Sequence, residues 1–312
     1  MDIALDKILK KLPKKINIKR VAGEDYIKRY KIKYDYVNVL GMELVGFHSR
    51  LKAKQVQLID KKSYSFFKKL DKEQKEKNLN KIFNCRIPCI IFTDDIEPDI
   101  RIIKMATASK VPVFKTKMER WRCVWETHRL LKKIFAPKQN YRGTMMEVFG
   151  IGVLITGKSN IGKSECALDL LYRGHCLVGD DVVEVTRRSG SVVLARGKYP
   201  IAHRMELRGV GIVDIIKLMG IGAVKEVQKI DILLGLERWK ENKKYERLGI
   251  EQKYRKIFDV DIPYIEIPVA PGRNTANMVE MAAMNYRLRK RGIVPGEELD
   301  ELVRERMENE QL

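Results

Sequence analysis

The chain has 312 residues, enough for two ordinary domains, and 45% of them are apolar, as in a folded globular protein. Sixty-two Lys and Arg stand against 41 Asp and Glu, a net charge of +21. No low-complexity tract, internal repeat or apolar run long enough to span a bilayer occurs, which excludes disordered, repeat and membrane-spanning classes.

The first residues, Met1-Asp2-Ile3-Ala4-Leu5-Asp6-Lys7, lack a basic-then-apolar export signal, so a cytoplasmic location is expected. The scattered cysteines, Cys85, Cys89, Cys123, Cys166 and Cys176, read as core thiols in a reducing compartment; no second Cys/His pair completes a zinc site. Charge is unevenly placed: residues 1–140 hold 34 basic and 16 acidic side chains, residues 141–312 hold 28 and 25. The basic excess of the first half fits a solvated lysine-rich face, with a nucleic-acid surface or an acidic partner as the alternatives.

Residues 1–135 read as one α/β domain. A short amphipathic helix is expected over Asp6–Leu12, strands over Tyr36–Leu40, Arg86–Phe92 and Val111–Phe114, and helices over Ile102–Ala108 and Glu119–Phe135. Asp94-Asp95 closes a strand and reads as a turn or helix cap rather than a metal pair. Ala136-Pro137-Lys138 then leads into a second domain, residues 136–312.

That second domain carries the chemistry. Gly157-Lys158-Ser159-Asn160-Ile161-Gly162-Lys163-Ser164 spells G-x-x-x-x-G-K-S, a phosphate-binding loop. Glycines let the backbone turn its N–H groups onto phosphate oxygens, Lys163 adds a compact positive charge, and the Ser164 hydroxyl is a hard ligand suited to Mg²⁺. The loop follows an apolar, β-prone run bounded by a turn, Glu147–Thr156, and precedes a helical pattern, Glu165–Tyr172, that stops at Gly174; the helix N-terminus favours the same anion.

Further on, the apolar stretch His175–Gly179 delivers two adjacent carboxylates, Asp180 and Asp181. One can support a metal beside the loop while the other takes a proton, but only if the strand is already turning there, because neighbouring strand residues face opposite ways. Val182–Thr186 and Val192–Ala195 form a hairpin pattern, and His203–Asp214 reads as an ordered loop. Strands are expected over Ile230–Leu236 and Ile262–Val269, and a helix over Thr275–Arg289 whose Met/Ala face belongs to the core.

Taken together, Gly157–Glu165, Val178–Val183, Met205–Asp214, Tyr245–Gly249, Pro268–Asn274 and Met281–Asn285 resemble the HPr kinase/phosphorylase family, bifunctional bacterial regulators of sugar catabolism. The resemblance covers nearly all of the second domain; Met205-Glu206-Leu207-Arg208-Gly209 and Pro271-Gly272-Arg273-Asn274 are its most specific stretches. It implies an α/β protein of two domains, the second folded like the nucleotide-binding part of phosphoenolpyruvate carboxykinase, assembled as a homohexamer. It also implies Mg²⁺-dependent transfer from ATP or pyrophosphate to a serine of HPr, and phosphorolytic removal that yields pyrophosphate.

By the same resemblance, Lys163 contacts the phosphates, Ser164 and Glu206 take the metal positions, and Asp181, with Asp180 beside it, is the base. Arg247 matches a catalytic arginine, and Pro268–Arg273 a stretch tied mainly to dephosphorylation. Three positions depart from the family pattern. Arg142 replaces a histidine, Asn160 a loop glycine, and Ala270 a residue that is commonly basic.

Two rival readings are a small-molecule or carboxykinase-like kinase and a nucleotide-regulated nucleic-acid binder. The first needs a pocket for a small acceptor. The second needs exposed aromatics among the basic residues of the first half, with Tyr64, Phe66 and Phe67 beside Lys61 and Lys62 as candidates.

Overall fold

The computed structural model describes residues 2–188, 190–243, 245 and 251–309. The chain divides into two compact units, Met1–Ala136 and Pro137–Leu312.

Among the described residues, the first unit is built on a five-stranded mixed sheet of Lys19–Ala22, Val113–Lys115, Ile90–Phe92, Gln57–Ile59 and Asn38–Val39, in that spatial order. Ile90 and Phe92 face one core, with Tyr64, Phe67, Leu79 and Ile102 from the helices Lys61–Lys69, Lys72–Asn84 and Ile100–Ala108. Ile91, of opposite parity, faces a second core with Cys123 and Leu131 from the helix Arg120–Phe135. Both faces of Ile90–Phe92 are covered, so this short strand reads as an unbroken apolar run.

Several expected elements prove shorter. The first helix spans only Leu5–Leu9, and the strand expected over Arg86–Phe92 pairs only at Ile90–Phe92. Tyr64 and Phe67 are 3% and 1% exposed, so these two aromatics are core, and the nucleic-acid reading loses them. Asp94 and Asp95 sit at φ 59 and 56, and the Asp94 carboxylate accepts from the N–H of Lys61 and of Arg120; the pair is a turn that also caps.

In the second unit the strands are β1 (Lys138–Arg142), β2 (Thr144–Val148), β3 (Ile151–Gly157), β4 (Cys176–Gly179), β5 (Val182–Arg187), β6 (Val193–Gly197), β7 (Arg204–Leu207), β8 (Gly211–Asp214), β9 (Gln228–Lys229), β10 (Ile232–Arg238), β11 (Lys253–Ile257) and β12 (Val260–Val269). Helix α1 is Lys163–Tyr172, α2 Ile215–Met219, α3 Thr275–Arg289 and α4 Pro295–Asn309. Among the described residues, a six-stranded sheet runs β4-β2-β3-β10-β12-β11, a four-stranded sheet β9-β6-β5-β1, and β7 pairs with β8. The central strands β3, β10 and β12 are parallel.

Side-chain alternation explains the layering. Val153 and Ile155 of β3 meet α1 and α3 through Ala167, Leu170, Ala276, Val279 and Ala283. Leu154 between them faces the smaller sheet through Val183, Val185, Val193 and Ala195. β3, the part of the apolar run next to the phosphate loop, is thus buried on both faces.

That run also holds a turn. Phe149 and Gly150 sit at φ 52 and 81, and Val148 pairs with Ile151, so Glu147–Thr156 is a tight hairpin of β2 and β3 rather than one strand. His203–Asp214, expected as a loop, contains the β7–β8 hairpin, with Gly209 at φ 79. The buried face of α3 is Ala276, Val279 and Ala283, whereas Met278 and Met281 are 45% and 57% exposed. Of the expected Met/Ala core face, Ala276 and Ala283 are in the core, whereas Met278 and Met281 lie outside it. No helix among the described residues is long and apolar enough to cross a membrane.

Candidate active site

The phosphate loop leaves the C-terminal end of β3 and enters α1, the place where parallel strands deliver their loops to ligands. Gly157, at φ 147, lies beside Leu236 of β10; a Cβ there would stand 2.6 Å from the Leu236 carbonyl oxygen. Only glycine fits both constraints. Gly157→Ala is expected to cost ~1–3 kcal/mol, read as a fall in the unfolding midpoint; an unchanged midpoint would contradict this backbone assignment.

Ile161 is 8% exposed and packs into the core beneath the loop, which pins the middle of an otherwise exposed segment, Lys158-Ser159-Asn160. Asn160 sits at φ 66, a left-handed geometry that asparagine tolerates, so the departure from glycine keeps the backbone course. Its Oδ1 accepts from Ser159 Oγ (3.0 Å) and from the Arg208 guanidinium. Gly162, at φ 98, precedes the helix. The Lys163 ammonium donates to the carbonyls of Gly157 (3.3 Å) and Lys158 (3.0 Å), at the mouth of the loop.

Behind the loop stands Asp180, 6% exposed. One carboxylate oxygen accepts from Thr144 Oγ1 at 2.6 Å, and the other accepts from Ser164 Oγ at 2.9 Å. Asp180 thereby fixes the Ser164 hydroxyl, and both its oxygens are engaged. Asp181 is exposed, at φ 58, and the Val182 N–H reaches back across it to the Asp180 carbonyl at 2.7 Å. This is a three-residue turn with a positive central φ, a rare and strained form. The strand does turn at the acid pair, so the two carboxylates escape the alternation of a straight strand.

The turn is held from the side. Gly143 N–H donates to the Asp181 carbonyl at 2.9 Å. Arg142 pairs with Val182 in the β1–β5 ladder, which sets an exposed arginine next to Asp181 in the fold. Here the chain crosses twice between sheets, from β1 to β2 through Gly143 and from β4 to β5 through the acids.

Glu206 lies exposed on β7, with the buried Met205 beside it. Arg208, in the turn that follows β7, touches Asn160 of the loop. Arg247 lies outside the described residues. Of the Pro268–Asn274 stretch, Pro268 and Val269 end β12, and Asn274 caps α3 by accepting from Asn277 N–H at 3.0 Å. Cys166, two residues past Ser164, is inert: burial pushes its thiol up to about 12, outweighing the helix N-terminus that would lower it.

Among the described residues no three His, Cys, Asp or Glu side chains gather as a protein-only metal cage. Mg²⁺ needs none, since it binds through one or two protein oxygens, water and substrate phosphates. The oriented Ser164 hydroxyl beside a buried carboxylate fits that chemistry. Thr144 and Arg208 were not singled out from the sequence. Thr144 stands 36 residues from Asp180, and no local pattern announces the contact.

A loop of this form, with its hydroxyl fixed by a buried acid, belongs to the phosphate-loop phosphotransferases. Within that class the chain belongs to the HPr kinase/phosphorylase family: residues 3–131 match the HPr Serine kinase N terminus and residues 133–303 the HPr Serine kinase C-terminal domain. It is an enzyme of the kinase/phosphorylase type.

The chain is 38% identical over 279 residues to the HPr kinase/phosphorylase of Leptospira biflexa, covering 89% of this chain and 86% of that protein. It is 35% identical over 289 residues to that of Bacillus subtilis, covering 93% of each. A solved structure of the Hpr(Ser) kinase/phosphatase from Coxiella burnetii aligns at 30% identity over 49% of this chain and 93% of that one, with a TM-score of 0.46.

Proposed function

We propose that this enzyme phosphorylates a serine of the phosphocarrier protein HPr with ATP or pyrophosphate and Mg²⁺, and removes the group again by phosphorolysis, so regulating sugar catabolism. The observation that carries this reading is the division of labour at Asp180-Asp181: the first acid is buried with both oxygens engaged, the second is exposed. The relatives named HPr kinase/phosphorylase supply the acceptor protein.

The catalytic domain is residues 136–312. In it, loop N–H groups and Lys163 bind the phosphates, and Arg247 stabilises the charge that develops on transfer. Ser164 and Glu206 would hold Mg²⁺, which neutralises phosphate charge when bound. Asp181 takes the seryl proton as the oxygen attacks the terminal phosphorus. In reverse, an oxygen of inorganic phosphate bonds to the phosphoserine phosphorus, the seryl O–P bond breaks, Asp181 returns a proton to the seryl oxygen, and pyrophosphate leaves. On the strength of the resemblance the protein is read as a cytoplasmic homohexamer.

Incubation with HPr, Mg²⁺ and ATP, followed by mass spectrometry, is expected to give one phosphoserine, lost again on adding phosphate. Unmodified HPr would overturn the reading.

Arg142 sets the direction of the balance. A guanidinium keeps its charge and cannot exchange a proton near neutral pH, and Ala270 stands where the family commonly carries one further basic residue beside Arg273. Kinase activity is therefore expected to exceed phosphorylase activity. Arg142→His is expected to raise the ratio of phosphorolysis to phosphorylation, and an unchanged or lower ratio refutes this role.

A further inference from the structure

Arg273 closes the turn between β12 and α3: its N–H donates to the Ala270 carbonyl at 3.2 Å, with Gly272 at φ 80. Its guanidinium carbon lies 4.7 Å from the centroid of the Trp239 ring. Among the described residues no carboxylate pairs with Arg273. The difference is chemical. A carboxylate occupies the N–H fork of a guanidinium, whereas an aromatic ring engages its flat face and leaves the edge donors free.

Trp239 is itself anchored. Its backbone N–H donates to the Val269 carbonyl at 3.0 Å, closing the last β10–β12 pair, Arg238 with Val269. Its ring stacks on Tyr245, with centroids 4.9 Å apart and planes at 23°. The Tyr245 hydroxyl accepts from the Lys240 N–H at 3.2 Å, and the Lys243 ammonium lies 5.4 Å from the Tyr245 ring.

Lys243 in turn bonds to Glu237 of β10 and, at 3.0 Å, to Glu266 of β12; these carboxylates, Glu237 foremost, raise its pKa. The result is an aromatic shelf tied to two strands. It stands at the end of the sheet where β3 delivers the phosphate loop, since Gly157 pairs with Leu236 and Leu236 with Ile267.

We propose that Trp239 is a positioning residue: its indole holds Arg273 so that the free N–H fork receives the inorganic phosphate that attacks phosphoserine. This rests on the function proposed above. Phosphorolysis brings two anions together, and a cation already oriented between strands lowers the cost of that approach. In the forward direction the donor phosphates are held by the loop and Lys163, so the shelf matters less.

The test compares Trp239→Ala and Trp239→Phe with the native enzyme on phosphorylated HPr, varying inorganic phosphate. Trp239→Ala is expected to raise the KM for phosphate about fivefold or more, with a smaller change in KM for ATP, and Trp239→Phe to restore most of the difference because a ring face remains. Trp239 is also the tryptophan of the second unit, the others being Trp121 and Trp125. In a Trp121→Phe/Trp125→Phe protein, added phosphate is therefore expected to change its fluorescence with the same half-saturation as phosphorolysis.

An unchanged phosphate KM in a folded Trp239→Ala enzyme, or no recovery in Trp239→Phe, overturns the inference. If Trp239→Ala does not fold, the fluorescence titration decides, and an emission insensitive to phosphate at concentrations that support phosphorolysis refutes it. Absence of transfer in either direction by the native protein would instead refute the proposed function.

Discussion

Lys163→Ala is expected to lower phosphoryl transfer to HPr by at least about a hundredfold, the loss typical of removing one preorganised donor from a developing charge. The fold is expected to survive, because among the described residues Lys163 donates only to the exposed carbonyls of Gly157 and Lys158, which water can serve in its place. Lys163→Arg is not expected to rescue fully, since a planar fork replaces a compact charge. The measurement is the initial rate of phosphoserine formation, with the unfolding midpoint as control. A folded alanine variant turning over at the native rate would remove the phosphate loop from the mechanism.

The second large effect separates the acids. Asp181→Asn is expected to keep nucleotide binding and lose transfer by about a hundredfold to ten-thousandfold, the usual contribution of a general base. Asparagine is the informative replacement because it tolerates the left-handed geometry at φ 58, so the turn that presents residue 181 is retained. Glu206→Gln removes a hard anionic ligand and is expected to raise the Mg²⁺ concentration needed for half-maximal rate. Asp181→Asn leaves that concentration unchanged. Indistinguishable Mg²⁺ titrations of the two variants would refute the division of roles.

What could be read in advance divides along the range of the interactions. The phosphate loop was legible because its demands are local: glycine where no Cβ fits, a lysine and a hydroxyl at fixed spacing, a strand before and a helix after. The paired acids were legible as a site, but their separate roles were not. Those depend on Thr144, reached only once β2 lies beside β4, and on a positive φ at Asp181 that no residue type announces.

The hairpin of β2 and β3 was hidden because Phe149 occupies its turn in a left-handed conformation more often given to Asn or Gly. The β7–β8 hairpin reads as a loop in the sequence because its strands, at four residues each, are too short for alternation to stand out. Met278 and Met281 misled for the opposite reason, since an apolar side chain marks a buried face only when something covers it.

The two crossings between sheets have a mechanical consequence. Gly143 and the Asp180-Asp181 turn are stitched together by the Gly143–Asp181 and Thr144–Asp180 hydrogen bonds, and they join the larger sheet to the smaller along one line. The far edge is tied as well: β9 runs through Ile230-Asp231 straight into β10, the Asp231 N–H donates to the Gly152 carbonyl at 2.8 Å, and the Asp231 carboxylate accepts from the Gly152 N–H at 3.0 Å. The smaller sheet is therefore clamped at both edges, which holds Asp181 at a set distance from the phosphate loop.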